Sequence, residues 1–259
     1  MHDDGTPPLL TVDGGVATIT LNRPRHHNRL HDEDLRTLIG HVQAVDRDPV
    51  VRVLVLAARV RSDAPVFSAG FHVGAFGDDA GAAVRAFAAA ADAVAAARPV
   101  TMAALNGSVY GGATDLALAC DFRLGVEGME LRMPAAALGL HYYPSGLRRA
   151  VATIGLRAAR RLFLLGQPLD AAALQALGFL DECVPAEDLP AAVRQRCEQV
   201  LALAPLAVQG MKQTLQEMAL GEDQPVRWEA RAVATYASAD FAEGRAAFGQ
   251  RRAPRFLGR

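Results

Sequence analysis

Asn106-Gly107-Ser108-Val109-Tyr110-Gly111-Gly112-Ala113-Thr114-Asp115 stands between the apolar run Pro99-Val100-Thr101-Met102-Ala103-Ala104-Leu105 and a short helical pattern. A tandem glycine where a strand meets a helix lets a ligand approach the backbone closely, and the start of the helix adds the positive end of its dipole. Phe67-Ser68-Ala69-Gly70-Phe71 has a similar setting earlier in the chain, after an apolar run and leading towards a helix. Each loop can aim one backbone N–H at a single point. Two such donors make an oxyanion hole, so the chemistry to expect is charge developing on a carbonyl oxygen.

Working outward, Val16-Ala17-Thr18-Ile19-Thr20-Leu21 and Val51-Arg52-Val53-Leu54-Val55-Leu56 read as strands, with an amphipathic helix from about His31 to Val45 between them. Further strand signals lie at Pro99–Leu105 and around Asp121–Val126, the first after an alanine-rich helix over about Ala80–Ala97. From Leu156 onward helical patterns dominate, over about 156–165, 170–177, 187–203, 205–219 and 222–248, with Leu180–Val184 the one strand expected there. An α/β core with a helical C-terminal section follows.

Composition removes several classes of function. An apolar share of 51% is ample for a core, and a net charge of −1 with dispersed signs offers no basic field for nucleic acid or an anionic membrane. Cys120, Cys183 and Cys197 are far apart, with no CxxC and no paired histidine, which argues against a disulfide frame or a zinc site and fits a reducing compartment. The stretch Met1-His2-Asp3-Asp4-Gly5 lacks the basic and apolar regions of a leader, and no run reaches about eighteen uncharged apolar residues. A cytoplasmic location is expected. Gly111-Gly112 is not part of G-x-G-x-x-G and no Walker lysine follows, so no nucleotide cofactor and no metal are expected.

Leu21-Asn22-Arg23-Pro24, Phe67-Ser68-Ala69-Gly70, Asn106-Gly107 through Gly111-Gly112 to Asp115-Leu116-Ala117, Cys120-Asp121 and Leu138-Gly139-Leu140 follow one another in order. Ala204-Pro205-Leu206-Ala207 and the end from Phe241-Ala242-Glu243-Gly244-Arg245 to Pro254-Arg255-Phe256 complete the series. Together they resemble the successive motifs of the crotonase superfamily, the enoyl-CoA hydratase/isomerase family, over nearly the whole chain. The resemblance implies a ClpP/crotonase-like α/β fold, a spiral of ββα units over residues 1–200. A helical region over 201–259 would complete the site and the contacts of a homotrimer or dimer of trimers.

Carried over by the resemblance, the donors of the oxyanion hole are the backbone N–H groups of Phe71 and Gly112, holding the thioester oxygen of an acyl-CoA whose coenzyme A is part of the substrate. Ala69, Ala135 and His141 fall in the acyl region. Arg25 and Arg251 match basic positions that face CoA phosphates, for which guanidinium is well suited, and Phe248 matches a position beside the adenine. The family's hydratases use two glutamates, one three residues after the second loop glycine and one directly after a later proline. This chain has Asp115 at the first position and Ala135, after Pro134, at the second. Hydration wants a base for water and an acid for the α-carbon, so the two-glutamate mechanism is not expected here. Asp115 either takes part in catalysis or caps backbone N–H groups at its helix start.

The loop His141-Tyr142-Tyr143-Pro144-Ser145-Gly146 is, within the family, most similar to methylmalonyl-CoA decarboxylases, which also lack the later glutamate and carry a tyrosine at the place of Tyr142. Decarboxylation needs an apolar pocket, an oxyanion hole and a proton donor afterwards. Tyr142 or a neighbouring histidine can be that donor, or these rings simply pack a loop or an interface. His72, where many members have an aspartate, either shuttles a proton or is structural. The function expected first is enolate stabilisation in a small acyl-CoA, with decarboxylation favoured. A hydratase or isomerase using Asp115 alone, and a non-catalytic acyl-CoA-binding protein, are the alternatives.

Overall fold

The computed structural model describes residues 5–72 and 80–259. Strand β1 (Leu9–Asp13) pairs antiparallel with β2 (Val16–Leu21), Leu9 opposite Thr20. In β2 buried and half-buried residues alternate, the signature of a strand with one face on a core. Helix α1 (Asp32–Arg47) follows and buries Leu35, Leu38, Val42 and Val45, the spacing of a single apolar stripe. Strands β3 (Val53–Ala58), β5 (Val100–Leu105), β7 (Phe122–Val126) and β10 (Glu182–Val184) then extend the sheet in parallel, giving the order β1-β2-β3-β5-β7-β10. β3 and β5 are buried without alternation, and apolar apart from Thr101, because both faces are covered, as parallel strands require.

A second sheet is built from short strands, β4 (Val66–Ser68), β6 (Ser108–Tyr110), β8 (Glu130–Arg132) and β9 (Leu169–Asp170), in that order. The first three run parallel, with Val66 beside Ser108 and Tyr110 beside Arg132, and β9 is antiparallel to β8. The sequence reading anticipated none of these four strands, nor β1. The two or three residues of each strand in the second sheet are too few to display a period, and β1, though five residues long, is mostly exposed and shows no alternation. Their parallel pairing decides where the site is, since the chain leaves β4, β6 and β8 at the same end of the sheet.

Helix α2 (Ala80–Ala96) lies against α1, and α3 (Ala113–Leu118) begins directly after the tandem glycine and is wholly buried. Helix α4 (Pro144–Leu165) is twice as long as the sequence pattern suggested and breaks at Gly155, whose φ of 73° and ψ of 160° are not helical. Pro144-Ser145-Gly146 looks like a turn in sequence, yet proline is well tolerated in a first helical turn where its missing N–H is not needed. Helices α5 (Ala171–Ala176), α6 (Leu189–Leu201), α7 (Pro205–Ala219), α8 (Pro225–Tyr236) and α9 (Ala239–Gln250) complete the chain. The single helix expected over 222–248 is two, because Ser238 ends one and caps the next by accepting from the Phe241 N–H. α7 is tied to the core by the buried Lys212, whose Nζ donates to the Pro99 carbonyl at 2.7 Å and pairs with Asp121 at 2.7 Å.

Candidate active site

The two glycine loops, about forty residues apart in sequence, touch. Gly70 has a φ of +77°, and a Cβ there would sit 2.7 Å from the Gly112 nitrogen and 2.7 Å from the Tyr110 carbonyl oxygen, so only glycine permits the contact. Gly112 is restricted for another reason. The ring tip of Phe87 occupies the place of its absent Cβ, 2.7 Å away. The Gly70 carbonyl accepts from the Leu30 N–H and the His72 N–H donates to the Leu30 carbonyl, so Leu30 and Phe71 form a parallel bridge. Backbone groups alternate sides along such a segment, which turns the Phe71 N–H away from Leu30. Among the described residues no acceptor receives the Gly112 N–H, which precedes α3.

A cavity of about 90 Å³ opens at these loops, at the end of the second sheet where β4, β6 and β8 finish. Ala69, Phe71, Gly111 and Gly112 form one side, Met133, Pro134 and Ala135 the continuation of β8, and His141, Tyr142 and Tyr143 the loop before α4. Ala83, Val84 and Phe87 of α2 close it, with the Phe71 and Phe87 rings edge to face at 6.2 Å. No described carboxylate lines it. Five of the residues singled out from sequence for the acyl and thioester end therefore come together with Tyr142: Ala69, Phe71, Gly112, Ala135 and His141.

Asp115 is 1% exposed and stands behind this wall. Its carboxylate accepts Nε of Arg149 at 2.8 Å on Oδ1, and both Nη2 of Arg149 and the Tyr143 hydroxyl at 2.5 Å on Oδ2. Arg149 continues outward to Asp92 at 2.7 Å, a carboxylate on the exposed side of α2. The cap that sequence allowed for Asp115 is not made, since α3 has no side-chain cap. Burial opposes the charge of Arg149, but the bonds to Asp115 and then Asp92 outweigh it and hold the guanidinium above its ordinary pKa. Burial, reinforced by the Asp115 charge, pushes the hydroxyls of Tyr142 and Tyr143 up, so both keep their protons. The Tyr142 hydroxyl donates to that of Tyr143 at 3.4 Å, their rings stack with centroids 4.4 Å apart, and Phe163 backs Tyr142 at 5.2 Å.

Other residues chosen from sequence lie elsewhere. His72 does not line the cavity; its ring stands 4.8 Å from that of His31, the residue that caps α1. Burial lowers the pKa of His31. Arg25 is exposed in the turn Pro24–His26, next to the site because the following residue, His27, accepts the Ala69 N–H at 2.7 Å. Phe248, 89% exposed on α9, and Arg251, just after it, do not line the cavity. Among the described residues no group of three or more His, Cys, Asp or Glu is gathered that could hold a metal ion. No helix among them is long and apolar enough to cross a membrane.

Sequence reasoning passed over Arg149, Asp92 and Phe87. Arg149 left one clue: it lies three residues from Gly146 and next to Ala150, on the buried side of α4. The clue is legible only once the helix is known to begin at Pro144.

The family model described as enoyl-CoA hydratase/isomerase matches residues 11–259. The chain is 30% identical over 257 residues to "Probable enoyl-CoA hydratase echA8" of Mycobacterium bovis, covering 97% of this chain and 98% of that protein. It is 28% identical to the crotonyl-CoA hydratase of Syntrophomonas wolfei, over 96% of this chain and 97% of the other. A crystal structure from Hyphomonas neptunium, assigned to the enoyl-CoA hydratase/isomerase family, superposes with a TM-score of 0.91 at 27% identity, covering 98% of each chain. With the two sheets, the helical C-terminal region and the paired glycine loops in place, the chain belongs to the enoyl-CoA hydratase/isomerase family of the crotonase superfamily.

Proposed function

We propose that this acyl-CoA enzyme stabilises the enolate of a small acyl thioester, and that its reaction is decarboxylation. The observation that carries the reading is a thioester-sized apolar cavity with no described carboxylate on its walls, where the hydratase glutamate is replaced by Ala135 and the remaining carboxylate, Asp115, is committed to Arg149 and Tyr143. Three of its acceptor sites are occupied, and a carboxylate so held is a poor base for water. Decarboxylation needs no base. The bond from the α-carbon to the carboxylate breaks, carbon dioxide leaves, and the electron pair moves into the thioester, placing negative charge on its oxygen. The N–H groups of Phe71 and Gly112 receive that charge, each worth about 3 kcal/mol in the transition state. The α-carbon then takes a proton, for which Tyr142 is the proposed donor because the residue lines the cavity and burial keeps its hydroxyl protonated.

The CoA portion lies outside the apolar cavity in this reading, near Arg25, with Arg251 and Phe248 as further contacts from the C-terminal region. The 89% exposure of Phe248, together with the exposed Leu164 and Leu165, supports contact with further copies of the chain, and the assembly proposed is a homotrimer or dimer of trimers. No metal or nicotinamide takes part in this scheme; exhaustive EDTA treatment is expected to leave turnover unchanged.

The hydratase names of the relatives favour a second reading, in which Asp115 alone supports hydration or double-bond isomerisation. Incubation with malonyl-, methylmalonyl- and crotonyl-CoA, followed by mass, separates the two. Loss of carbon dioxide from the first or second, slowed or altered in stereochemistry by Tyr142→Phe, is expected. Fast hydration of crotonyl-CoA, abolished in Asp115→Asn and untouched in Tyr142→Phe, would replace decarboxylation with the one-carboxylate hydratase. Tight binding of all three without turnover would leave an acyl-CoA-binding protein.

A further inference from the structure

Helix α2 is built almost entirely of alanine and other small residues, and Phe87 is its one aromatic side chain. Ala83, Ala90 and Ala91 allow close packing on the inward side of α2, and Phe87 enters the core from the same side. The ring is 3% exposed, and its tip meets Gly112 where a Cβ would otherwise stand, three ring carbons lying within 3.0 Å of that position. It also meets Phe71 edge to face. Both residues that carry the thioester-facing N–H groups therefore have Phe87 as a neighbour, and the ring is itself a wall of the cavity.

Volume gives this wall a consequence. A dry cavity of about 150 Å³ holds benzene, six carbons, whereas the cavity here is about 90 Å³. By proportion it accepts about four carbons. Among the other buried walls, Tyr142 is wedged between Tyr143 and Phe163, and Met133 and Ala135 belong to the segment that continues β8, while the half-exposed Leu138 stands on the solvent side. Beside Phe87, by contrast, the inward face of α2 carries the smaller side chains of Ala83, Val84, Ala90, Ala91 and Val94.

We propose that Phe87 is the specificity-determining residue for acyl length, confining the enzyme to acyl groups of about four carbons or fewer by filling the space beside Gly112 that a longer chain would enter. The proposal rests on the acyl-CoA reading given above and adds to it the residue that sets the limit. It also makes Gly112 and Phe87 a coupled pair, since the glycine leaves the room that the ring fills.

The test is calorimetric binding of butyryl-CoA and octanoyl-CoA, neither of which carries a group to be lost, to the full chain and to Phe87→Ala and Phe87→Leu. The unmodified protein is expected to prefer butyryl-CoA at least tenfold. Phe87→Ala should reverse the order, gaining about fourfold in octanoyl affinity for each methylene that the vacated space buries, and Phe87→Leu should fall between. Because removal of a buried ring costs stability, Phe87→Leu and a melting curve for each variant keep the result readable if Phe87→Ala does not fold. An octanoyl-to-butyryl ratio that stays within twofold in a folded variant overturns the role of Phe87 while leaving acyl-CoA binding intact. Absence of binding by either thioester to the unmodified protein overturns the acyl-CoA reading itself, and the length limit with it.

Discussion

Asp115 illustrates how a residue's neighbours decide its chemistry. Sequence places a carboxylate three residues after the second loop glycine, the position from which a base would act, but the fold surrounds it with a bidentate guanidinium and a phenol. Breaking a buried pair by removing one partner strands the other charge, at about 3–5 kcal/mol, whereas replacing both by apolar groups is often nearly neutral. Arg149→Met is therefore expected to lower the unfolding free energy by about that amount. The double variant Arg149→Met/Asp115→Leu should recover most of the loss. Urea unfolding of the two proteins checks this, and equal destabilisation in both would mean that the pair is not the burden on stability described here. The same reasoning gives Tyr143 a charged partner in Asp115, while the Tyr142 hydroxyl donates to that of Tyr143.

At the level of elements, the short second sheet does the positioning. β4 and β6 lie side by side in parallel, and Gly70 allows the loops that leave them to touch at van der Waals distance. Gly70→Ala would bring a Cβ within 2.7 Å of backbone on the opposite loop, at a φ that alanine rarely adopts. The expected outcome is a hundredfold or greater fall in turnover, the order of losing one oxyanion donor, with a fold still recognisable by circular dichroism. Turnover within twofold of the unmodified protein would remove the loop contact from the catalytic arrangement.

The helical region offers a separate observable. Glu217 of α7 accepts Trp228 Nε1 at 2.8 Å and two nitrogens of Arg231 at 2.6 and 2.7 Å, clipping α8 to α7. The hydrogen bonds from Arg231, ahead of the smaller effects of Trp228 and Arg227, bring the Glu217 pKa down from 4.5 to about 2. A lowered carboxylate pKa stabilises the folded state above the unfolded value, and that contribution is lost as pH falls from 4.5 towards 2. Trp228 is the only tryptophan, so its fluorescence should change across this acid range and the change should vanish in Glu217→Gln.

On the scale of the whole molecule, the proposed function makes the apolar cavity one part of the substrate's contact surface and requires the polyanionic CoA to find its cations outside it. Arg251 ends α9 with a φ of 54° and is exposed, a position from which its charge reaches solvent. Arg251→Glu is expected to weaken acyl-CoA binding about tenfold or more, the worth of a charge-assisted hydrogen bond, with a larger effect at low ionic strength than at high. Unchanged affinity by calorimetry would remove Arg251 from the CoA site.

Sequence alone determined the family, the α/β core and the place of the two glycine loops, because these depend on local pattern. Val16–Leu21 alternates, the inner strands are continuously apolar, and Gly70, Gly111 and Gly112 mark backbone that something must approach. It also established that Ala135 carries no carboxylate, a fact independent of conformation. Tertiary structure decided what depends on distance between remote residues. The parallel pairing of β4, β6 and β8 rests on strands too short to show a period, and it alone brings Phe71, Gly112 and Ala135 to one cavity. The capture of Asp115 by Arg149, thirty-four residues away, and the seating of Phe87 against Gly112 depend on how α2 and α4 pack against α3 and each other. Side-chain contacts between elements leave no periodic trace in a single chain, because the period of each element records only which of its faces is buried and not what lies against it.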